Sequence, residues 1–230
     1  MLSYFIDFFR GEIDALRLII YILSISYVVF CTAPLHEFAH AFVAVKLGDD
    51  TPRLRGRLTI NPMAHIHPIG LIMIFLFGFG YARPVEIRMR NFKKPKRDMA
   101  IVALAGPVCN FLQAVVYTSV SSALTIAQVF SGIEAISYIV TFFEFAAIIN
   151  IQLGLFNLIP VPPLDGSRLL TALLPSKAYY KIMQYERYIT IGLMLLLFTG
   201  VLSRPLAFVS DMIFGLIKLM FLLPMNFIIG

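Results

Sequence analysis

Two histidines four residues apart, with a glutamate directly after the first, are the residues best suited to chemistry. They are His36, Glu37 and His40. On a helix, residues four apart lie on one face with their Cβ atoms about 5–6 Å apart. Both imidazoles can then reach one Zn²⁺ at about 2.0–2.1 Å, and Glu37 can take a proton from water activated by the metal. The pattern predicts a hydrolytic site with one zinc ion per chain.

The setting of this motif argues against a chance match. It lies in an apolar run from about Leu16 to Val45, in which Glu37 is the one acidic residue. Ionisable side chains inside a bilayer cost on the order of 2.5–3.5 kcal/mol each. Three such groups in one turn therefore indicate a functional site. Pro34 predicts a kink in the same run, because proline removes a backbone hydrogen bond.

A catalytic zinc usually has three protein ligands and one open position. Three residues in or beside apolar segments are candidates for the third ligand: Asp165, Glu144 and Cys31. His36 lies ten residues before Lys46, about 15 Å inside that end of its helix. Asp165 follows a proline-rich break near the same face, so depth favours it over Glu144. An aspartate before a glycine also commonly forms turns and helix caps, which is the alternative role for Asp165.

The composition describes a membrane protein. Hydrophobic residues make up 59% of the chain and charged residues 14%, against roughly 45–50% and about 25% in soluble domains. The net charge of +6 comes from basic residues in short loops, which positive-inside topology explains better than nucleic-acid binding does. The loops at 46–57, 83–97 and 168–187 are therefore expected on the cytoplasmic side, in a cell membrane protein whose active site is nearer that face.

We predict an all-α polytopic membrane protein, with about five transmembrane helices and a re-entrant or interfacial hairpin. The hairpin is Leu71–Phe79, too short to span and placed between two loops that should share a side. Residues 1–230 are expected to form one membrane-embedded domain. The predicted spans are Leu16–Val45, Met99–Ala127, Ala135–Ile159, Tyr188–Ser203 and, less completely, Leu206–Ile229.

Four segments together resemble the site-2 protease family of intramembrane zinc metalloproteases, in its compact prokaryotic form without a PDZ or regulatory domain. Their order and spacing extend over about Leu35 to Leu170. The segments read HEFAH at 36–40, NPMAHIHPIG at 61–70, AGPVCN at 105–110 and NLIPVPPLDG at 157–166.

The resemblance implies that His36, His40 and Asp165 ligate zinc and that Glu37 is the general base. It also implies that Asn157 faces the active site, where its amide could stabilise an oxyanion; the alternative is an interhelical hydrogen bond. Asn110 is expected to tie core helices together.

The sequence departs from the family at one position, where His67 stands in place of the usual aspartate. His65 and His67 are interpreted as polar loop residues near the interface, with outer-shell support of the metal or gating as the alternatives.

These residues predict a zinc metalloendopeptidase that cleaves transmembrane proteins or peptides within the lipid bilayer. One competing hypothesis is a non-enzymatic zinc-binding transporter or sensor, which would have no need for a base beside the ligand pair. Another is a membrane zinc protease of a different class, such as one that processes lipidated C-termini. The Asp165 motif after a proline-rich break favours the first hypothesis.

Overall fold

A computed structural model describes residues 2–77 and 83–229, and this part of the chain is helical without a β-strand. The helices are α1 Leu2–Phe9, α2 Ala15–Tyr27, α3 Ala33–Lys46, α4 Thr51–Leu54, α5 Pro62–His65, α6 Pro68–Phe77, α7 Pro95–Ser131, α8 Ile136–Leu158, α9 Gly166–Leu173, α10 Ser176–Met183, α11 Glu186–Phe198 and α12 Ser203–Ile229.

Helices α2 and α3 form one continuous rod, joined by a π-helical turn at Val28–Thr32. In this turn the Ala33 N–H donates to the Val28 carbonyl, five residues back. Pro34 follows directly and has no N–H to donate, and its ring crowds the carbonyl four residues before it. The wider turn accommodates that crowding; the kink predicted from Pro34 stays a prediction.

Four helical segments are long and apolar enough to cross a membrane: Ala15–Lys46, Pro95–Ser131, Ile136–Leu158 and Ser203–Leu222. This confirms the predicted all-α polytopic class. The last of them shows that the C-terminal apolar run, for which the sequence left full crossing open, has the length to do so.

The predicted span at Tyr188–Ser203 differs from what the structure contains. Helix α11 has 13 residues, about 20 Å at helical rise, whereas the hydrocarbon core is about 30 Å thick. The segment is uncharged, which suggested a span, but its helix ends at Phe198 and a turn follows. The described chain therefore has four candidate spans rather than five.

Helices α8 and α12 run antiparallel, as two contacts show. The Gln152 amide donates to the Ser210 hydroxyl at 3.3 Å, and Lys218 forms an ion pair with Glu144. The earlier residue of α8, Glu144, therefore pairs with the later residue of α12, Lys218. The beginning of α12 and the end of α8 lie at the same end of the bundle, so the chain does not cross between them.

The three basic loops meet at that same end. The Arg88 N–H and the Asn91 amide each donate to the Asp49 carboxylate at 2.7 Å, joining the first loop to the second. The Lys96 ammonium donates to the Leu174 carbonyl at 3.3 Å, joining the second to the third. We call this end, which carries residues 46–57, 83–97 and 168–187, the basic end.

His65 and Arg83 lie together at the basic end, because the Arg83 N–H donates to the His65 carbonyl at 2.7 Å. Between them, helix α6 has 10 residues, about 15 Å, too short to span. Residues 78–82, which include the last two residues of the predicted hairpin, lie outside the described residues. The re-entrant or interfacial hairpin stays a prediction.

Helix α7 lies at the centre of the bundle and packs against α3, α8, α9 and α12. One buried cluster between the helices consists of Val28, Tyr117, Ala146 and Ala147. The small side chains of the two alanines let the helices approach closely, which is how membrane helices gain packing contacts. Helix α3, which carries the two histidines, packs against α7.

Candidate metal centre

Three ligand-type side chains converge at one point inside the bundle. The Nε2 atoms of His36 and His40 lie 3.1 Å apart, and Asp165 Oδ2 lies 3.1 Å from the first and 3.0 Å from the second. Among the described residues, these three form the one group of His, Cys, Asp and Glu arranged to hold a metal ion. The structure thus brings together the three residues that the sequence nominates as ligands.

Local sequence explains how each ligand reaches this point. The two histidines are one turn apart on α3, with their rings in an edge-to-face arrangement at 4.7 Å. Asp165 follows the break after α8 and precedes Gly166, where a Cβ atom would lie 2.4 Å from the Ile159 carbonyl oxygen. Only glycine allows the chain to fold back so closely onto the end of α8.

Asp165 stands at the N-cap position of α9, but its side chain makes no capping hydrogen bond. Its Oδ2 atom is directed to the two imidazoles instead. A carboxylate oxygen in this position is available as a ligand.

A backbone carbonyl of α7 orients the His40 ring through the nitrogen that faces away from the metal centre. Its Nδ1 atom lies 2.7 Å from the Val102 carbonyl oxygen. A carbonyl can only accept, so Nδ1 carries the proton and the Nε2 lone pair points into the centre. Metal-binding histidines characteristically use their second nitrogen in this way. Sequence reasoning did not identify Val102, because any residue type supplies the same carbonyl.

Gly106 keeps open the space in front of the two histidines. A Cβ atom at this position would lie 2.3 Å from His40 Nε2 and 2.5 Å from His36 Nε2. These distances are close to zinc–nitrogen bond lengths of about 2.0–2.1 Å, so the missing side chain leaves room for an ion in contact with both rings. Gly106 is part of the AGPVCN segment, but its steric role depends on α7 crossing α3.

The other candidates for the third ligand lie elsewhere. Glu144 forms an ion pair with Lys218 on α12, and Cys31 is exposed. Neither belongs to the described group of ligands. The depth argument from the sequence therefore leads to the same residue as the geometry.

Glu37 is half-buried beside the ligand pair and is not a member of the group. Arg57, in the loop before α5, is near enough for the two charges to interact. Burial and the neighbouring Arg83 lower the pKa of the Arg57 guanidinium, and the attraction of Glu37 partly opposes this. Arg57 also donates to the Ala64 carbonyl, which holds the loop beside α3. The sequence analysis counted Arg57 only as a topogenic charge.

The remaining predicted residues lie around the centre without joining the group. Asn157 is half-buried and is the penultimate residue of α8; its role at the reaction centre stays a prediction. His65 is buried, and its Nε2 atom lies 2.8 Å from the Thr59 carbonyl oxygen, to which it donates. His67 is outside the described ligand group. Asn110 is buried on α7.

The donor set suits Zn²⁺. Two imidazole nitrogens and one carboxylate oxygen within about 3 Å of one another form the three-ligand arrangement of catalytic zinc sites, with a fourth position left for water or substrate. The residues therefore fit one zinc ion, held by His36, His40 and Asp165.

Comparison with known proteins agrees with this geometry. Residues 113–199 match the model of a family described as "Peptidase family M50". The chain is 41% identical over 170 residues to "Putative zinc metalloprotease YwhC" of Bacillus subtilis, covering 72% of this chain and 75% of that protein.

Two further relatives are longer than the matched region. "Putative zinc metalloprotease Rip2" of Mycolicibacterium smegmatis is 31% identical over 178 residues, covering 74% of this chain and 64% of that protein. "Zinc metalloprotease MJ0392" of Methanocaldococcus jannaschii is 28% identical over 189 residues, covering 81% of this chain and 45% of that protein. No solved structure matches the chain.

Proposed function

The chain belongs to peptidase family M50, and we propose that it hydrolyses peptide bonds within or near transmembrane segments of membrane proteins. It is a zinc metalloprotease and a multi-pass membrane protein. The observation that carries the proposal is the convergence of His36, His40 and Asp165. That site lies among helices long and apolar enough to cross a bilayer.

We assign the general base to Glu37. It follows the first ligand on the same turn of α3 and is free of metal coordination in the described group. Zinc held by the three ligands would act as a Lewis acid, making water nucleophilic near neutral pH and polarising the scissile carbonyl. Glu37 takes the proton from that water and returns it to the leaving amine. Arg57 lies close enough for its positive charge to interact with this carboxylate.

Asn157 is proposed to face the scissile carbonyl. It lies eight residues before Asp165, at the end of α8, where the helix gives way to the proline-rich break. Irregular backbone at membrane depth is tolerated where it lines a wet cavity. An amide donor at that position could stabilise the developing oxyanion, which would place Asn157 on the substrate side of the ligand Asp165.

The substitution Glu37→Gln tests the mechanism. It keeps the shape of the side chain but removes the base, so the purified protein should keep its zinc and lose cleavage of a membrane-anchored substrate. We expect the rate to fall by about 10²–10⁴-fold, the usual contribution of general base catalysis. The measurement is the initial cleavage rate in reconstituted vesicles, alongside zinc per chain.

Glu134→Gln is the matched control, because Glu134 is exposed in the loop between α7 and α8. It should cleave at the wild-type rate. Wild-type cleavage by zinc-loaded Glu37→Gln protein would contradict the assignment of the base. Zinc flux into vesicles that persists in Glu37→Gln protein, with no cleavage by the wild type, would favour a transporter.

We propose that the basic end, and with it the metal centre, faces the cytoplasm, because basic loops of membrane proteins are retained there. Single cysteines, introduced after replacement of Cys31 and Cys109, can report the side of each loop in intact cells. Positions 93, 177 and 204 should be protected from an impermeant thiol reagent, and position 134 should react. Labelling of 177 and 204 on opposite sides would mean that α11 crosses the membrane.

A further inference from the structure

Helices α10 and α11 form an arm, residues 176–198, that begins and ends at the basic end. Its start is fixed because the Leu174 carbonyl accepts from Lys96, at the first turn of α7. Its far end leads into α12, which begins beside the end of α8, as the antiparallel contacts of Gln152 and Glu144 require. The arm therefore stays at one face of the bundle.

The first part of the arm is basic and aromatic. Lys177 and Lys181 are exposed one helical turn apart on α10, and Arg187 is exposed at the start of α11. Glu186 is the one acidic residue between 176 and 198. The arm also carries three tyrosines whose side chains are largely solvent-accessible in the isolated protein: Tyr180 at 66%, Tyr185 at 54% and Tyr188 at 72%.

The second part of the arm is an apolar helix whose outer face has no protein cover. Tyr188, Ile191 and Leu195 recur at spacings of three and four residues, and their exposures are 72%, 51% and 61%. Such spacing places them on one face of α11. Leu193, on the opposite face, is buried. A stripe of this kind is costly in water and is stable against lipid.

We propose that the arm is a binding surface for anionic lipid headgroups at the basic end of the bundle. Lysine and arginine side chains bind the phosphate groups, since basic residues next to a membrane are attracted to anionic lipids. Tyrosines sit at headgroup level, where amphipathic rings are enriched. The Ile191 and Leu195 stripe enters the adjoining acyl region, to a depth that an interfacial helix reaches.

The positive charge of the arm, together with its apolar stripe, favours anionic lipid over a protein partner. The exposed cations of the arm are at the same end of the bundle as the 83–97 loop, which the hydrogen bond from Lys96 to the Leu174 carbonyl joins to the start of the arm. The apolar stripe of α11 continues directly from this charged region along the chain. An anionic bilayer surface is complementary to the arm, because negatively charged headgroups would lie opposite the basic residues and hydrocarbon opposite the apolar stripe. A soluble acidic partner would leave the stripe in water.

The chain contains no tryptophan, so a single introduced tryptophan reports its own environment. Tyr185→Trp and Leu195→Trp proteins would be reconstituted whole in vesicles containing phosphatidylcholine brominated at shallow or deep acyl positions. We expect both reporters to be quenched more strongly by the shallow bromines. Leu216→Trp, on the outer face of the span α12, is the matched reporter and should be quenched more strongly by the deep bromines.

The headgroup charge is tested with the same reporter. Adding phosphatidylglycerol to phosphatidylcholine vesicles should shift Tyr185→Trp emission to shorter wavelength and strengthen shallow quenching. The substitutions Lys177→Gln and Lys181→Gln, added to the Tyr185→Trp protein, should weaken this emission response to phosphatidylglycerol. We expect about fivefold for each cation removed, as for basic residues at a membrane surface. Lys93→Gln with Lys94→Gln, at the same end but outside the arm, should leave it unchanged.

Three outcomes would overturn the proposal. Preferential quenching of the arm by deep bromines would show that it inserts as a span. The absence of quenching at either depth would show that it faces water or protein. An emission response to phosphatidylglycerol that is absent, or unaffected by loss of the two lysines, would show that the arm does not recognise headgroup charge.

Discussion

Asp49 and Asp165 each follow a helix of the bundle, and both carboxyl groups are largely withdrawn from solvent, yet their surroundings are opposite. The Asp49 carboxylate accepts from the Thr51 hydroxyl at 2.5 Å and the Arg88 N–H at 2.7 Å, and from further donors on Thr51 and Asn91. Asp165 directs one oxygen to two imidazole nitrogens. The first carboxylate is satisfied by donors, and the second shares its space with other metal-ligand atoms.

The difference separates a structural carboxylate from a ligand. Asp49 fastens the loop after α3 to the loop before α7, and its hydrogen bonds complete its coordination. Asp165 meets two imidazole nitrogens that can bind the same cation. Burial by itself therefore does not identify a functional aspartate; the chemical nature of the groups around it does.

Asp165→Asn should have the largest effect. The amide keeps the size of the side chain but offers a much poorer zinc ligand, so we expect zinc affinity to fall by more than about 100-fold, beyond the loss of an outer-shell partner. Cleavage should be abolished. Zinc per chain, measured by elemental analysis after dialysis, gives the result. Asp49→Asn is the paired variant and should retain its zinc; equal zinc loss in both would erase the distinction between the two aspartates.

Gly106→Ala should have the next largest effect, because its methyl carbon would lie 2.3 Å from His40 Nε2. We expect zinc affinity to fall by roughly 10–100-fold, as for a disturbed ligand orientation, in competition with a chelator. Gly192→Ala, where a Cβ atom meets nothing within 4 Å, should bind zinc as the wild type does. Undiminished affinity in Gly106→Ala would show that the rings are not confined as described.

Asp49→Asn should reduce stability rather than chemistry. The new amide hydrogens would face donors, so the free energy of unfolding in detergent should fall by about 1–3 kcal/mol. Asp50→Asn is the matched control, since Asp50 is exposed and pairs with Arg53 at 2.8 Å; such surface pairs contribute about 0–1 kcal/mol. An equal loss in both variants would mean that the buried cluster contributes nothing particular.

The smallest effect concerns pH. Burial raises the pKa of the Asp49 carboxyl, but its hydrogen bonds from Arg88, Thr51 and Asn91 outweigh this and lower the pKa below its usual range. The folded protein thus binds this proton less readily than the unfolded chain. The stabilisation is present above the unfolded pKa and is lost as pH falls through the folded pKa. As pH is lowered, the free energy of unfolding measured in detergent should therefore fall less steeply for Asp49→Asn than for the wild type.

The sequence predicted what depends on local spacing and on membrane depth. The i, i+4 pair of histidines and the shared depth of Asp165 identify residues that the structure brings together, and the shared side of the basic loops follows from charge. Gly106 and the Val102 carbonyl were missed because their roles depend on where α7 crosses α3, which no local pattern encodes. The Tyr188–Ser203 segment was predicted as a span because it is apolar and uncharged. Hydropathy does not show that its helix is short or that α12 begins at the basic end of the bundle.

The ion pair between Glu144 and Lys218 has a consequence for how the protein is made. Glu144 is synthesised in α8, long before Lys218 emerges in α12, and a lone ionised side chain in a bilayer is costly. Until α12 is inserted, Glu144 has no countercharge from that helix. Docking of α12 therefore supplies the countercharge that α8 lacks when it first enters the membrane.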